Sequence, residues 1–104
     1  FSDEENKKWD KSVKDMNLEI LLISQFTLHA KLKGNKPDFH NAMNHIRARE
    51  MFDTFTTLIS ESYHPDKVQT GFFGKFMKLN LSNDGPVTII LDSQQYEPIL
   101  KAPI

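Results

Sequence analysis

Three hydrogen-bonding side chains, Ser24, Gln25 and Thr27, stand at the far end of an apolar run that begins at Leu18. A buried polar group left without a partner costs roughly 1–3 kcal/mol. An apolar strand therefore ends this way only with compensation: the groups are satisfied internally, or they face a ligand. A second polar stretch lies far downstream, at Asn83-Asp84-Gly85-Pro86-Val87-Thr88. The two are expected to meet in space and form one site.

Nucleophilic catalysis is the first chemistry to weigh. Ser24 or Thr27, with His29 or His40 and Asp38, supplies a hydroxyl, an imidazole and a carboxylate. Ser24 is not in a G-x-S-x-G elbow, however, and His29 lies five residues along the same strand. Metal binding is no better supported. His40 and His45 with Asp38 lack the i, i+4 spacing of a helical zinc pair, so scattered surface histidines and no metal are expected. The Gly85-Pro86 pair has two readings. It is a plain hairpin turn, or a cis peptide that turns its carbonyls toward a substrate, since X–Pro is the bond where cis is accessible.

The elements that must position these residues follow from periodicity. Residues 2–17 are polar, with Trp9 and Val13 as the large apolar groups, and read as a loop pinned by Trp9. Residues 18–28 form the strand, and a basic loop carrying Lys31, Lys33 and Lys36 turns at Gly34-Asn35. Three lysines beside a polar strand end suit phosphate contacts as well as a solvated connection. Ala48, Met51, Phe52, Phe55, Leu58 and Ile59 recur at spacings of three and four, which predicts a helix over roughly residues 44–63 with a core-facing stripe. Asp38 or Asn41 is its expected cap, and His64-Pro65 its end. Alternation over residues 77–81 and a β-branched run over 87–91 predict two further strands. The order predicts an α/β protein with mixed, mostly antiparallel sheets and the helix packed on one face.

Composition narrows the class. A chain of 104 residues, 38% hydrophobic and 26% charged with net charge −1, is at most one globular domain with no strong overall attraction to nucleic acid. It has no cysteine, so a reducing compartment is permitted, and no apolar run long enough to span a membrane. Phe1-Ser2-Asp3-Glu4 reads as the exit of an earlier strand into a loop.

In order and spacing, these segments resemble one known family. Ser24-Gln25-Phe26-Thr27-Leu28 and Asn83-Asp84-Gly85-Pro86-Val87-Thr88 are similar to the two signature motifs of the D-aminoacyl-tRNA (D-tyrosyl-tRNA) deacylases. Between them, Lys33-Gly34-Asn35-Lys36-Pro37-Asp38-Phe39 resembles a K-G-x-(R/K)-P-x-F loop, and residues 70–77 resemble a T-G-x-F-(G/A)-x-x-M segment. The resemblance covers residues 1–92. It implies a three-layer α/β/β fold of which this chain is the C-terminal two-thirds, with the early strands missing and a polar, proline-containing tail over 93–104.

The resemblance also implies hydrolysis of the ester joining a D-amino acid, or glycine mischarged on alanine tRNA, to the 3′ end of tRNA. Ser24, Gln25, Phe26 and Thr27 would line the catalytic pocket, with amides there stabilising an oxyanion and a nucleophilic role for Thr27 left open. Gly85 and Pro86, in a cis peptide, would reach into the active site of the other subunit of a homodimer and exclude L side chains, supported by Asn83 and Thr88. Chemistry would lean on the tRNA 2′-hydroxyl and a water, with no cofactor. Lys31, Lys33, Lys36 and Lys75 would contact tRNA, and the location would be cytoplasmic. A non-catalytic nucleic-acid-binding or assembly module on the same scaffold is the alternative from another class.

Overall fold

The computed structural model of the chain describes residues 1–2, 5 and 8–94. Most of the expected 93–104 tail, from residue 95 on, lies outside the described residues. The class is mixed α/β, and the described residues form one long helix and two small two-stranded sheets.

The first element falls where a loop was expected. Helix α1, Val13–Met16, is one turn set by a capping box: the Ser12 hydroxyl accepts from the Asp15 amide (3.1 Å), and the Asp15 carboxylate accepts from the Ser12 amide (2.9 Å). These bonds hold the Asp15 carboxyl below its ordinary value, the Ser12 amide contributing most. Asn17 ends the turn in the left-handed region at φ 56°. Trp9 is 69% exposed and does not pin the segment as expected.

The strand expected over 18–28 is confined to β1, Ile20–Leu22, and Phe26–His29 form a 3-10 turn instead. Local bonds account for the change. The Gln25 side-chain amide donates to the Thr27 hydroxyl, and the Ala30 amide donates to the Thr27 carbonyl (3.0 Å), so these groups are satisfied without a ladder. Strands β2, Lys31–Lys33, and β3, Lys36–Asp38, form an antiparallel hairpin where a basic loop was expected, with the turn at Gly34-Asn35 as predicted.

Helix α2, His45–Ser62, matches the predicted span, but its cap is Asn44. The Asn44 side chain accepts from the Ile46 amide at 2.9 Å. Asp38 and Asn41 lie too early, because Asp38 ends β3 and a turn closed by the Ala42 amide on the Phe39 carbonyl (2.9 Å) intervenes. A 3-10 turn, Pro65–Lys67, leads to β4, Val68–Thr70, which pairs in parallel with β1, Ile20 opposite Val68. Parallel neighbours need a long crossover, and α2 supplies it. The Tyr63 hydroxyl, just past α2, donates to the Leu18 carbonyl (2.8 Å) and reaches the Val13 carbonyl (3.4 Å), tying α1 to the helix end.

Two expectations about packing are corrected. Residues 77–81 and 87–91 are in no strand, so the hairpin expected between them does not form. A strand needs a partner for its amides and carbonyls, and the described residues offer these segments none. The apolar stripe of α2 is only partly core: Ala48, Phe52 and Ile59 are half-buried, whereas Met51, Phe55 and Leu58 are exposed. Among the described residues Val68 alone is buried. The accessible surface is 9875 Å², where a compact monomer of 12.1 kDa exposes about 6,000 Å². Large apolar faces therefore stand uncovered in the isolated chain. No helix among the described residues is long and apolar enough to cross a membrane.

Candidate active site

The polar residues after β1 open onto a cavity of about 1030 Å³. Ser24, Gln25, Phe26 and His29 form one wall, the inward positions of α2 a second, and the glycine-flanked segment 72–77 a third. Hydrogen-bonding groups are few: Ser24, Gln25, His29, His45 and Lys75. The rest is aromatic and thioether surface from Phe52, Phe55, Phe73, Phe76, Met51 and Met77. A few polar groups at the edge of an apolar hollow suit a small organic group whose orientation is fixed by one end.

Aromatic contacts hold the third wall. The Phe73 ring lies 5.3 Å from His45 and 5.7 Å from Phe52, with the Arg49 guanidinium 5.6 Å from its centre. Beside it, Gly74 has φ +69°, and a Cβ there would sit 2.6 Å from His45 Cε1. A side chain at residue 74 would be strained by its backbone and would strike the imidazole. Met77 folds back so that the Phe72 amide meets its sulfur at 3.1 Å. The first wall has a support of its own: Phe26 packs edge to face on Phe39, just past β3, with centroids 4.9 Å apart.

The sequence-predicted residues divide into those that line this cavity and those that do not. Ser24, Gln25, Phe26 and Lys75 line it. Thr27 does not, but its hydroxyl receives the Gln25 amide and so bears on how that side chain points. Lys31, Lys33 and Lys36 stand on the hairpin, outside the lining. Asn83, Gly85, Pro86 and Thr88 are exposed and do not line the cavity of their own chain. The Gly85–Pro86 peptide is cis, and Gly85 has φ +116°.

Of the triad ingredients, Asp38 and His40 contact each other, and among the described residues neither is hydrogen-bonded to Ser24 or Thr27. His45, expected with His40 to be a surface histidine, is exposed yet lines the cavity, as does His29. The signal that locates His45 is Gly74, a glycine where a ring must approach closely. The sequence offers His29 as a triad imidazole, and nothing local marks it as a cavity residue.

A family model described as D-Tyr-tRNA(Tyr) deacylase matches residues 1–92. The chain is 50% identical over 93 residues to the D-aminoacyl-tRNA deacylase of Drosophila melanogaster, covering 89% of this chain and 59% of that protein. It is 48% identical over 93 residues to D-aminoacyl-tRNA deacylase 1 of Homo sapiens, covering 89% and 44%. It is 49% identical over 96 residues to the D-aminoacyl-tRNA deacylase of Saccharomyces cerevisiae, covering 91% and 64%. The chain thus spans about half the length of these relatives. A solved structure titled c-Myc DNA Unwinding Element Binding Protein superimposes with a TM-score of 0.82 at 48% identity, covering 88% of this chain and 62% of that one.

Proposed function

This chain belongs to the D-Tyr-tRNA(Tyr) deacylase family, and from that premise we propose that the protein hydrolyses the ester between a D-amino acid and the 3′-terminal ribose of tRNA. Water adds to the ester carbonyl, the bond from the acyl carbon to the ribose oxygen breaks, and a proton passes to that oxygen. The products are a free D-amino acid and tRNA. The observation that carries this reading is the convergence of Ser24, Gln25 and Phe26, residues of the first signature motif, on one cavity.

In this reading no side chain becomes covalently attached to the substrate. Ser24 and Gln25 orient the ester, amides of the same stretch stabilise the oxyanion, and the neighbouring 2′-hydroxyl of the terminal ribose assists the water. The apolar walls exclude bulk water, which strengthens each of those interactions. Thr27 acts through Gln25.

Chirality is sorted by exclusion. Gly85 and Pro86 of a second copy of the chain approach the cavity, their carbonyls taking the substrate's α-amino group and leaving no room for an L side chain, with Asn83 and Thr88 supporting the loop. Glycine has no side chain to reject, so glycyl-tRNA mischarged on alanine tRNA passes the same filter. A homodimer with shared sites is supported by the uncovered apolar faces of α2 and of residues 72–81, and by the fact that Gly85 and Pro86 do not line the cavity of their own chain. The site of action is the cytoplasm, where tRNA is charged.

A second reading is favoured by the structural neighbour, whose title names a DNA-element-binding protein. A binding module on this scaffold would retain nucleic acid without chemistry. Incubating the full-length protein with D-tyrosyl- and L-tyrosyl-tRNA separates the two. Release of D-tyrosine with L-tyrosyl-tRNA spared is expected. Equal rates on both, or none on either from an intact dimer, overturn the hydrolase reading.

A further inference from the structure

The register of the β2–β3 hairpin sets two like charges directly against each other. Lys33 pairs with Lys36 beside the turn, Leu32 with Pro37, and Lys31 with Asp38. Directly opposed residues project from the same face, as do alternate residues along a strand. Lys31, Lys33 and Lys36 therefore share one face, and Leu32 and Pro37 take the other.

Opposed like charges destabilise a ladder. All three lysines are exposed, and none makes an ion pair among the described residues. The one carboxylate on their face, Asp38, is in contact with His40. A hairpin that repels itself at the turn is relieved by an anion held between its arms. The hairpin is also tied to the cavity, because Phe39 directly follows β3 and packs edge to face on Phe26 of the first wall.

We propose that the β2–β3 hairpin is a phosphate-gripping arm for an RNA backbone: Lys33 and Lys36 straddle one phosphate, Lys31 takes its neighbour, and the Phe26–Phe39 contact holds this grip in fixed relation to the cavity. Lys31 and Lys33 are two residues apart on a strand, roughly 6.6 Å, a spacing comparable with that of successive phosphates along one nucleic-acid strand. The grip reads no bases; it sets how far and at what angle the acylated end enters the cavity. The inference rests on the proposed reading of the substrate as a tRNA ester, since it is the rest of the tRNA that the arm holds.

The test is the salt dependence of tRNA binding by the full-length protein. Binding of deacylated tRNA is measured across a potassium chloride series for the wild type, the Lys33→Gln/Lys36→Gln double variant and Lys14→Gln, an exposed lysine on α1. Each phosphate neutralised contributes about 0.7–0.9 to the slope of log K against log salt, so the double variant, which frees the one phosphate that Lys33 and Lys36 straddle, is expected to lose about 0.7–0.9 of slope while Lys14→Gln loses none. Lys36→Glu, which puts an opposite charge against Lys33, is expected to weaken binding while raising the melting temperature; loss of fold would move both downward. An unchanged slope in the double variant, or an equal loss in Lys14→Gln, overturns the arm. Turnover is scored separately on the wild type. A slope lost in the double variant beside a wild type inert toward D-aminoacyl-tRNA keeps the arm and removes the hydrolase reading. An active wild type with an unaltered double-variant slope does the reverse.

Discussion

The imidazole of His45 occupies the space a side chain on Gly74 would need, its Cε1 lying 2.6 Å from the position of a Cβ there. His45 opens α2, and Gly74 sits in the segment that closes the cavity from the opposite side. The two walls meet because one of them carries no side chain at that point.

Gly74→Ala is therefore expected to act twice. The left-handed backbone at φ +69° costs about 1–2 kcal/mol with a Cβ present, and the ring must also move. Urea unfolding of the full-length protein should show a loss of at least that size, with KM for D-aminoacyl-tRNA raised because Phe73 and Lys75 shift with the segment. A variant as stable as the wild type would mean that the two walls do not touch in solution.

Thr27→Ala separates a positioning role from a covalent one. The Thr27 hydroxyl holds the Gln25 amide, and a single neutral hydrogen bond is worth about 0.5–1.5 kcal/mol net. Converted to rate, that is roughly a two- to twelve-fold fall in kcat/KM. A drop of several thousand-fold would make Thr27 the nucleophile.

The capping box of α1 gives the chain a local acid dependence. Ser12 holds the Asp15 carboxyl below its ordinary value, so the ionised form is favoured in the folded turn over the unfolded one. Its contribution is fully present above the unfolded aspartate value, about 4, and is lost as pH falls through the lowered folded value. An NMR titration of the Asp15 side chain should show the low midpoint, and Ser12→Ala, which removes the hydroxyl but keeps the amide that contributes most, should raise it only in part. A midpoint wholly restored to the ordinary value in that variant would make the hydroxyl, not the amide, the main cause.

What could be read in advance depended on how locally each feature is decided. Helix α2 was legible because the spacing from Ala48 to Ile59 is a property of the helix itself. Its cap was not, since Asp38, Asn41 and Asn44 are equally suited by type and the turn at Phe39 chooses between them. The strand after Leu18 was read too long because Gln25 and Thr27 satisfy each other locally. Alternation over residues 77–81 describes a strand that finds no ladder among the described residues, for pairing is decided by a neighbour and not by the segment. Ser24, Gln25 and Phe26 stood out as polar and aromatic groups ending an apolar run. The facing wall of Phe52, Phe73 and His45 comes from positions nearly thirty residues apart, and only the glycine at 74 hinted at it.

That Val68 alone is buried among the described residues has a calorimetric meaning. The heat-capacity increment of melting tracks the apolar area newly wetted, and a strand pair centred on one sheltered valine has little left to wet. A polypeptide of this sequence by itself would give a broad, shallow thermogram, and the sharp endotherm of a cooperative protein would emerge only once its oily faces are covered.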